Sequence, residues 1–232
     1  MEQNVFPPRP EGPRTGFAKP RLFTPGPTLG LPEARRAALI AEWHHRTPSF
    51  QALFRQVQQR LGRLMGTDGP VYLLTSSGSG AMEAAVAGMV GSGEEALVVD
   101  AGKFGQRWGQ ILQALGAVPR VLQVPWGRSA TADQVRAALA EHPGVRALFV
   151  QATETSSGAA HDLRAMAAAV REAEDCLLVA DAISWLGAGP MEADAWGVDV
   201  VVGGSQKALM VGPGLAWLGL GRRAAERLEQ TD

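Results

Sequence analysis

Lysine is scarce in this 232-residue chain: 22 residues are lysine or arginine, and only Lys19, Lys103 and Lys207 are lysines. A primary amine can lose its proton and form a Schiff base with a carbonyl group, whereas a guanidinium stays protonated and does neither. Lys207 follows a strand-like apolar run and the small residues Gly203-Gly204-Ser205. Partial burial there would lower the pKa of its amine, so Lys207 is the candidate nucleophile. Lys103 lies in a comparable loop, and Lys19 lies in the amino-terminal arm, where water should surround it.

A glycine-rich loop, Ser77-Gly78-Ser79-Gly80-Ala81, joins an apolar run to a helical pattern. Its glycines let backbone amides approach an anion, and the helix that follows adds free N–H groups and a positive dipole end. A phosphate group would fit such a loop, although a tight turn without a ligand explains the loop alone equally well. It is not a Walker loop, because no Gly-Lys-Ser/Thr follows.

Asp181 ends the apolar run Cys176–Ala180, so its carboxylate should be carried into a mostly buried place. A buried carboxylate needs a cation or hydrogen-bond donors, and an arginine or a loop amide is the usual partner. A protonated pyridine nitrogen would serve as well, and an acid there keeps the ring an electron sink. Loop, acid and lysine together match the phosphate, ring nitrogen and aldehyde of pyridoxal 5′-phosphate.

A nicotinamide-dependent oxidoreductase is the rival interpretation of the glycine-rich loop. Gly78 and Gly80 match the first two glycines of the dinucleotide fingerprint, and Asp100 ends the next apolar run, where a ribose-binding acid would lie. Glu83 occupies the position of the third glycine, however, and the loop comes after a long helix rather than at the start of the fold. These two departures make this interpretation the less favoured one.

The elements that must position these residues alternate between apolar runs and helical patterns. Continuous apolar strands separated by helices predict an α/β fold with a mostly parallel sheet sandwiched by helices. Ligands bind such sheets beyond the carboxyl ends of the strands, where five small, polar or glycine-rich loops follow five of these runs. The predicted strands are Val71–Leu74, Ala96–Val99, Ala147–Val150, Leu177–Ala180, Val198–Val202 and Leu215–Leu220.

Local signals mark the helices between these strands. Thr47 caps a predicted helix that has Pro48 at its first position and Gly66 at its end. Thr131 and Gln134 form a capping box at the start of another helix. The other predicted helices are Ala81–Val90, Gln106–Leu115 with Trp108, Ile111, Leu112 and Leu115 on one face, Asp162–Glu174 with Leu163, Met166 and Val170 inward, and Arg222–Gln230.

Taken in order, these motifs resemble a family: the class V, fold-type I pyridoxal-phosphate aminotransferases of the alanine–glyoxylate, serine–pyruvate and serine–glyoxylate group. The resemblance extends from about Leu22 to Gly221. It is carried by Phe23-Thr24-Pro25-Gly26-Pro27-Thr28, His45-Arg46-Thr47-Pro48-Ser49-Phe50, Thr75 to Glu83, Phe104-Gly105-Gln106-Arg107-Trp108, Glu154-Thr155-Ser156-Ser157-Gly158, Asp181-Ala182-Ile183-Ser184 and Gly204-Ser205-Gln206-Lys207-Ala208-Leu209.

The resemblance implies a role for each matching residue. Lys207 would bind the aldehyde of the cofactor and later move a proton, and Asp181 would pair with the pyridine nitrogen. Phe104 would stack on the ring, at a position where the family often has tryptophan, and Thr155 would bond near the phenolic oxygen. Gly26 would face the substrate. The phosphate side would be lined by Ser79, Gly80, Ala81 and Gln206.

The implied organisation is an arm at 1–21, a cofactor-binding large domain at 22–221, and the start of a smaller carboxyl-terminal domain at 222–232. Members of the family continue into that domain, so we expect this chain to be a truncated one that lacks the arginine for the substrate carboxylate. The expected reaction moves an amino group from alanine or serine to glyoxylate or pyruvate, in a homodimer with the active site at the subunit interface. A non-catalytic cofactor-binding remnant is the alternative. A cysteine desulfurase is less favoured, because Cys176 lies in an apolar run.

Composition excludes several classes of function. The net charge is −1, so a dedicated nucleic-acid or anionic-membrane binder is not expected. The apolar runs are far shorter than the roughly 20 residues of a membrane span. A single cysteine excludes a disulfide framework and a cysteine-rich zinc site, and we expect no metal. The start of the chain is rich in proline and arginine, unlike a secretory signal, so the expected location is the cytoplasm.

Overall fold

A seven-stranded sheet forms the centre of the computed structural model, which describes residues 22–40, 43–173 and 175–230. The arm predicted for residues 1–21, including Lys19, lies outside the described residues. The strands of the sheet are β1 (Val71–Leu74), β2 (Glu95–Asp100), β3 (Val118–Gln123), β4 (Val145–Gln151), β7 (Leu177–Asp181), β8 (Val200–Gly204) and β9 (Ala216–Leu220), and a separate hairpin consists of β5 (Thr153–Glu154) and β6 (Ala159–Ala160).

The order of the strands across the sheet is β1, β9, β8, β7, β4, β2, β3, so β7 is the central strand. The five strands β3, β2, β4, β7 and β8 pair in parallel, whereas β9 is antiparallel to both of its neighbours. The carboxyl ends of the parallel strands therefore meet at one edge. The predicted α/β fold with a mostly parallel sheet is confirmed.

Helices cover both faces of the sheet. In β7, Leu177 and Val179 join the core formed with α3 and α4, while Leu178 and Ala180 join the core formed with α5 and α6. None of the helices in the described part of the chain has the length and apolarity to cross a membrane. The helices are α1 (Pro32–Ala37), α2 (Pro48–Met65), α3 (Gly78–Met89), α4 (Lys103–Ala114), α5 (Ala132–Glu141), α6 (Leu163–Arg171), α7 (Ala193–Trp196) and α8 (Arg222–Gln230).

The helix signals in the sequence have their expected geometry. The Thr47 hydroxyl accepts the Phe50 amide at 3.3 Å at the start of α2, and Gly66 ends this helix with a left-handed φ of +67°. The capping box of α5 is formed by Thr131 and Gln134. The residues predicted to point inward from α6 are all buried: Leu163, Met166 and Val170.

Several predicted boundaries are wrong. α3 and α4 each begin three residues before the predicted position, at Gly78 and Lys103, because residues predicted to lie in the preceding loops form the first helical turn. Leu115, predicted on the buried face of α4, lies past the end of the helix and is 43% exposed. β8 lies two residues later than predicted, and β3 was not predicted, since Pro119 and polar residues interrupt its apolar pattern.

α8 is held against the sheet by a buried ion pair. The Asp199 side chain is 3% exposed, and it accepts the Leu178 amide at 2.8 Å and the Arg223 guanidinium at 3.2 Å. Burial raises the pKa of Asp199, and the Leu178 amide and Arg223 oppose that rise. Arg223 also donates to the Cys176 carbonyl at 2.6 Å, so one guanidinium connects α8 to the start of β7 and of β8.

We expect Arg223→Met to lower the free energy of unfolding by about 2 kcal/mol, because Asp199 stays buried without its nearest cation. Arg222→Met is the matched control: its side chain is 87% exposed and pairs with Glu226 at the surface, so the loss should stay below about 0.5 kcal/mol. Urea unfolding of the two variants measures the difference. Equal losses would contradict the structural role given to Asp199.

Candidate active site

The central strand β7 ends in a buried carboxyl group. Asp181 is 6% exposed, and its Oδ1 accepts the backbone N–H of Ile183 at 2.9 Å. Burial raises the pKa of this carboxyl to about 6; the Ile183 amide opposes the rise, the nearby Glu154 adds to it, and Lys207 opposes it. Lys207 and the Ile183 amide thus compensate the Asp181 charge only in part, and a protonated ring nitrogen would supply further positive charge.

Lys207 lies just past the end of the neighbouring strand β8. It is partly buried, and its Nζ donates to the Pro25 carbonyl at 3.2 Å. Burial lowers the pKa of the amine, while the attraction of Asp181 raises it. A lowered pKa increases the fraction of neutral amine, which is the nucleophilic form.

Gly26 lies directly against the lysine side chain. A Cβ at this position would come within 2.7 Å of Lys207 Nζ and 2.6 Å of its Cδ, so a larger residue would displace the amine. Thr28 fixes the same segment: its backbone N–H donates to the Gln206 carbonyl at 2.9 Å, and its hydroxyl donates to the Lys207 carbonyl at 2.7 Å. The sequence prediction placed Gly26 near the substrate, and the structure places it beside the candidate nucleophile.

The first turn of α3 reaches the same edge of the sheet. No side chain caps this helix at Ser77, and the amides of Gly80 and Ala81 donate to the Ser77 carbonyl, so the amides of Gly78 and Ser79 are the ones open to an anion. A Cβ at Gly78 would collide with Ile183, so the helix start lies against the loop after Asp181. Of the predicted phosphate-binding residues, Ser79 and Gly80 are half-buried and Ala81 is buried.

Gln206 completes this side of the site. A Cβ at Gly204 would lie 3.1 Å from the Gln206 Oε1 and 3.2 Å from Ile183 Cγ2, so the glutamine amide folds back over the end of β8. Ile183 is therefore the common neighbour of the start of α3 and the end of β8. A phosphate at the α3 amino terminus would lie on the side of the site that carries Gln206.

Phe104 is positioned by a buried glutamate. Glu154 is completely buried, and its carboxylate accepts the backbone amides of Phe104 and Gly105 at 3.1 and 3.0 Å. It also accepts the Ser156 hydroxyl at 2.6 Å. Phe104, which is 37% exposed, therefore lies at a helix start that Glu154 holds in place.

The remaining predicted residues divide into those at the site and those outside it. Thr155 lies next to Ser184 in the loop after Asp181, with 2.7 Å between the two hydroxyl oxygens. Lys103 is exposed at the start of α4. Of the two lysines that the structure describes, Lys207 alone is partly buried beside Asp181.

Two residues of the site carried no role in the sequence analysis, namely Glu154 and Ile183. Both lay inside motifs that had been singled out. The available signal for Glu154 was a carboxylate directly after a buried strand, where its charge requires donors. No feature of the sequence marks Ile183, because this residue contributes packing against Gly78 and Gly204 and has no reactive group.

The topology excludes the dinucleotide interpretation. Gly78 and Gly80 follow β1, which lies at the edge of the sheet, whereas Asp100 ends β2. Four strands separate β1 from β2, so Asp100 does not neighbour the glycine-rich loop as a ribose-binding acid would.

Cys176 does not provide a nucleophile. It is completely buried at the start of β7, at the opposite end of that strand from Asp181, and burial raises the pKa of its thiol to about 12. The prediction that it is a core residue is confirmed. A thiol in that setting stays protonated and inert.

The residues at this edge fit the chemistry of pyridoxal 5′-phosphate. The open start of α3 could hold the phosphate, Asp181 could hold the protonated ring nitrogen, and Lys207 could bind the aldehyde carbon. Phe104 could cover one face of the ring, because its own position is fixed through Glu154.

Comparisons with known proteins agree with this chemistry. The sequence profile of the family Aminotransferase class-V matches residues 33–231. An uncharacterised aminotransferase from Helicobacter pylori is 38% identical over 210 residues, which are 90% of this chain and 56% of that protein. The chain thus spans about half the length of the relatives it matches.

Solved structures match the fold over the same extent. An alanine–glyoxylate aminotransferase from Nostoc sp. has a TM-score of 0.86 and 33% identity, covering 90% of this chain and 55% of its own. An aspartate aminotransferase of subgroup IV from Thermus thermophilus has a TM-score of 0.83 and 37% identity, covering 88% of this chain and 57% of its own.

The buried Asp181 makes a testable contribution to stability. Its pKa in the folded chain is about 6 against an ordinary 3.8, so the folded state holds this proton more tightly than the unfolded state does. The resulting stability is full below about pH 4 and is lost as the pH rises to about 6. Without cofactor, the free energy of unfolding of Asp181→Asn should therefore equal that of the wild type near pH 4. Near pH 8 it should exceed the wild-type value by up to about 3 kcal/mol.

Denaturant unfolding of the cofactor-free proteins at the two pH values checks this. Asp133→Asn is the control, since the Asp133 side chain is 92% exposed and no such pH-dependent gain is expected. A wild type that is as stable as Asp181→Asn at the higher pH would show that the Asp181 charge is compensated within the protein.

Proposed function

The chain belongs to the class-V aminotransferase family, and from that membership we propose that it holds pyridoxal 5′-phosphate at the carboxyl edge of its sheet and transfers amino groups. The observation that carries the proposal is the placement of Lys207 near Asp181. A partly buried amine of lowered pKa lies within electrostatic reach of a buried carboxyl, at the ends of two neighbouring parallel strands.

When bound, pyridoxal phosphate supplies an electron sink that stabilises negative charge at the Cα of an amino acid. Lys207 would supply the neutral amine that holds the cofactor at its aldehyde carbon, and, after the amino group of the substrate takes its place there, the free amine would move a proton to and from Cα. Asp181 holds the ring nitrogen in its protonated form. Gly26 leaves the space in which the Lys207 amine and a substrate can meet.

The other site residues bind and orient. The first turn of α3 would hold the phosphate, with Ser79, Gly80 and Ala81 lining it and Gln206 on the same side; the Ser79 amide would donate to it, because the amides of Gly80 and Ala81 already donate to the Ser77 carbonyl. Phe104 covers one face of the ring, and Thr155 donates toward the phenolic oxygen. These roles follow from the family motifs, and the positions of Phe104 and Gln206 support them.

For substrates, we propose alanine or serine as the amino donor and glyoxylate or pyruvate as the acceptor. The name of the Nostoc protein supports alanine and glyoxylate, and the name of the Thermus protein makes aspartate the donor to test against them. We further propose a homodimer in the cytoplasm. The large domain would comprise residues 22–221, and α8 (Arg222–Gln230), which the Arg223–Asp199 ion pair holds against its sheet, would lead into a second domain.

The first test is covalent labelling of the lysine. The purified chain is incubated with pyridoxal phosphate, its visible spectrum is recorded, and borohydride reduction is followed by peptide mapping. We expect a stable label on Lys207 in the wild type and in Lys103→Ala, and no label on Lys207→Ala, because Lys103 is exposed and away from Asp181. A label on Lys103, or none on a demonstrably folded wild type, would refute the assignment.

The labelled wild type is then given each amino donor in turn. Spectral conversion of the bound cofactor by alanine or serine, reversed by glyoxylate, is the expected result. Conversion by aspartate in preference to both would overturn the donor assignment. Labelling without conversion by any donor would leave cofactor binding as the function of this chain.

A further inference from the structure

A row of polar side chains crosses the sheet just before its carboxyl edge. Gln151, the last residue of β4, is the register partner of Asp181 on β7. On the other side of β4 lies β2, where Val98 is the register partner of Phe149 of β4. Two residues further along, Asp100 of β2 therefore lies beside Gln151 of β4. Side chains of one face recur every second residue, so Asp100, Gln151 and Asp181 share one face.

This face is the one that α3 and α4 cover. Val98, Phe149 and Val179, each two residues before a member of the row, belong to the core formed with these helices. Neighbouring strands lie about 4.8 Å apart, so a glutamine between two aspartates is within side-chain reach of both. The first turn of α4 closes over the row, since a Cβ at Gly105 would come 2.9 Å from the Asp100 Cα.

The amide of Gln151 is buried without a hydrogen bond. Its residue is 0% exposed, and neither Nε2 nor Oε1 has a partner among the described residues. The Asp100 Oδ1 is likewise buried without one in the described part of the chain. Buried polar groups are nearly always paired in proteins, so this arrangement calls for an explanation.

A glutamine amide nitrogen carries two N–H donors, and the row places an acceptor on each side of it. We propose that Gln151 is a positioning residue for Asp181: when the cofactor binds, its amide nitrogen, which has no partner among the described residues of the cofactor-free chain, donates to the carboxylates of Asp100 and Asp181 and so holds Asp181 toward the protonated ring nitrogen. The inference rests on the proposed function. Amide-to-carboxylate bonds are strongest when the acceptor is ionised, which is the state that a cationic ring favours.

Gln151→Met tests the inference, because methionine has a similar length and volume and no donors. Without cofactor, its melting midpoint should equal or exceed that of the wild type, since two unpaired polar atoms leave a fully buried site. Its Kd for pyridoxal phosphate should rise about tenfold, the factor that corresponds to about 1.4 kcal/mol. Binding is measured by the visible absorbance of the cofactor.

A second ligand separates positioning from simple packing. In 1-deazapyridoxal 5′-phosphate a carbon replaces the ring nitrogen, so Asp181 has no ring proton to accept. Wild type and Gln151→Met should bind this analogue equally. Thr153→Val is the matched control: Thr153 Oγ1 is also buried without a partner among the described residues, but it lies in the β5–β6 hairpin, and its removal should leave both Kd values unchanged.

The outcomes are distinct. An unchanged Kd for pyridoxal phosphate, an equal loss for both ligands, or a lower melting midpoint of cofactor-free Gln151→Met would overturn the inference and give Gln151 a structural role. In those cases wild-type labelling at Lys207 still supports the proposed function. A folded wild type that does not bind pyridoxal phosphate would contradict both the proposed function and the role proposed for Gln151.

Discussion

A carboxyl group with almost no access to water lies at the end of the central strand, and the arrangement of the site follows from the need to compensate it. Desolvation alone would keep Asp181 protonated at a pH where an aspartate is normally ionised. Within the chain, the opposing contributions come from the Ile183 amide and Lys207. Glu154, itself completely buried, works in the other direction. A cation beside Asp181 would therefore be bound more strongly than a cation at the surface, and this difference would favour a protonated ring over a neutral one.

The same electrostatics explains why two neighbouring helices begin differently. At the amino terminus of α4, the Glu154 carboxylate accepts the backbone amides of Phe104 and Gly105. The amino terminus of α3 receives no side-chain cap from Ser77. Unpaired amides and the helix dipole favour negative charge at the amino terminus of each of these helices. In α4 the Glu154 carboxylate occupies this place and thereby fixes the position of Phe104. In α3 no side chain occupies it, so a phosphate could bind there.

Local signals in the sequence predicted what depends on local structure. Thr47 and Gly66 marked both ends of α2, and the run of apolar strands indicated a parallel sheet whose loops meet at one edge. The reversed direction of β9 has no local signal, because an apolar run reads the same in either direction. The edge strand β3 needs few apolar residues, since it pairs on one side only. The Glu154 and Gln151 environments depend on contacts between distant segments, which spacing along the chain does not reveal.

The contact between Gly26 and Lys207 shows how such distant segments can still support chemistry. Thr28 is joined to the carbonyls of Gln206 and Lys207, 178 and 179 residues away along the chain, so the position of the turn depends on contacts with a distant segment. Both bonds go to backbone oxygens, whereas the Lys207 Nζ makes its own bond to the Pro25 carbonyl. The Lys207 amine could therefore leave the Pro25 carbonyl while the Thr28 bonds keep the turn attached, as the proposed bond to the cofactor would require. A site that needs a mobile nucleophile within rigid surroundings is built by this separation of backbone and side-chain bonds.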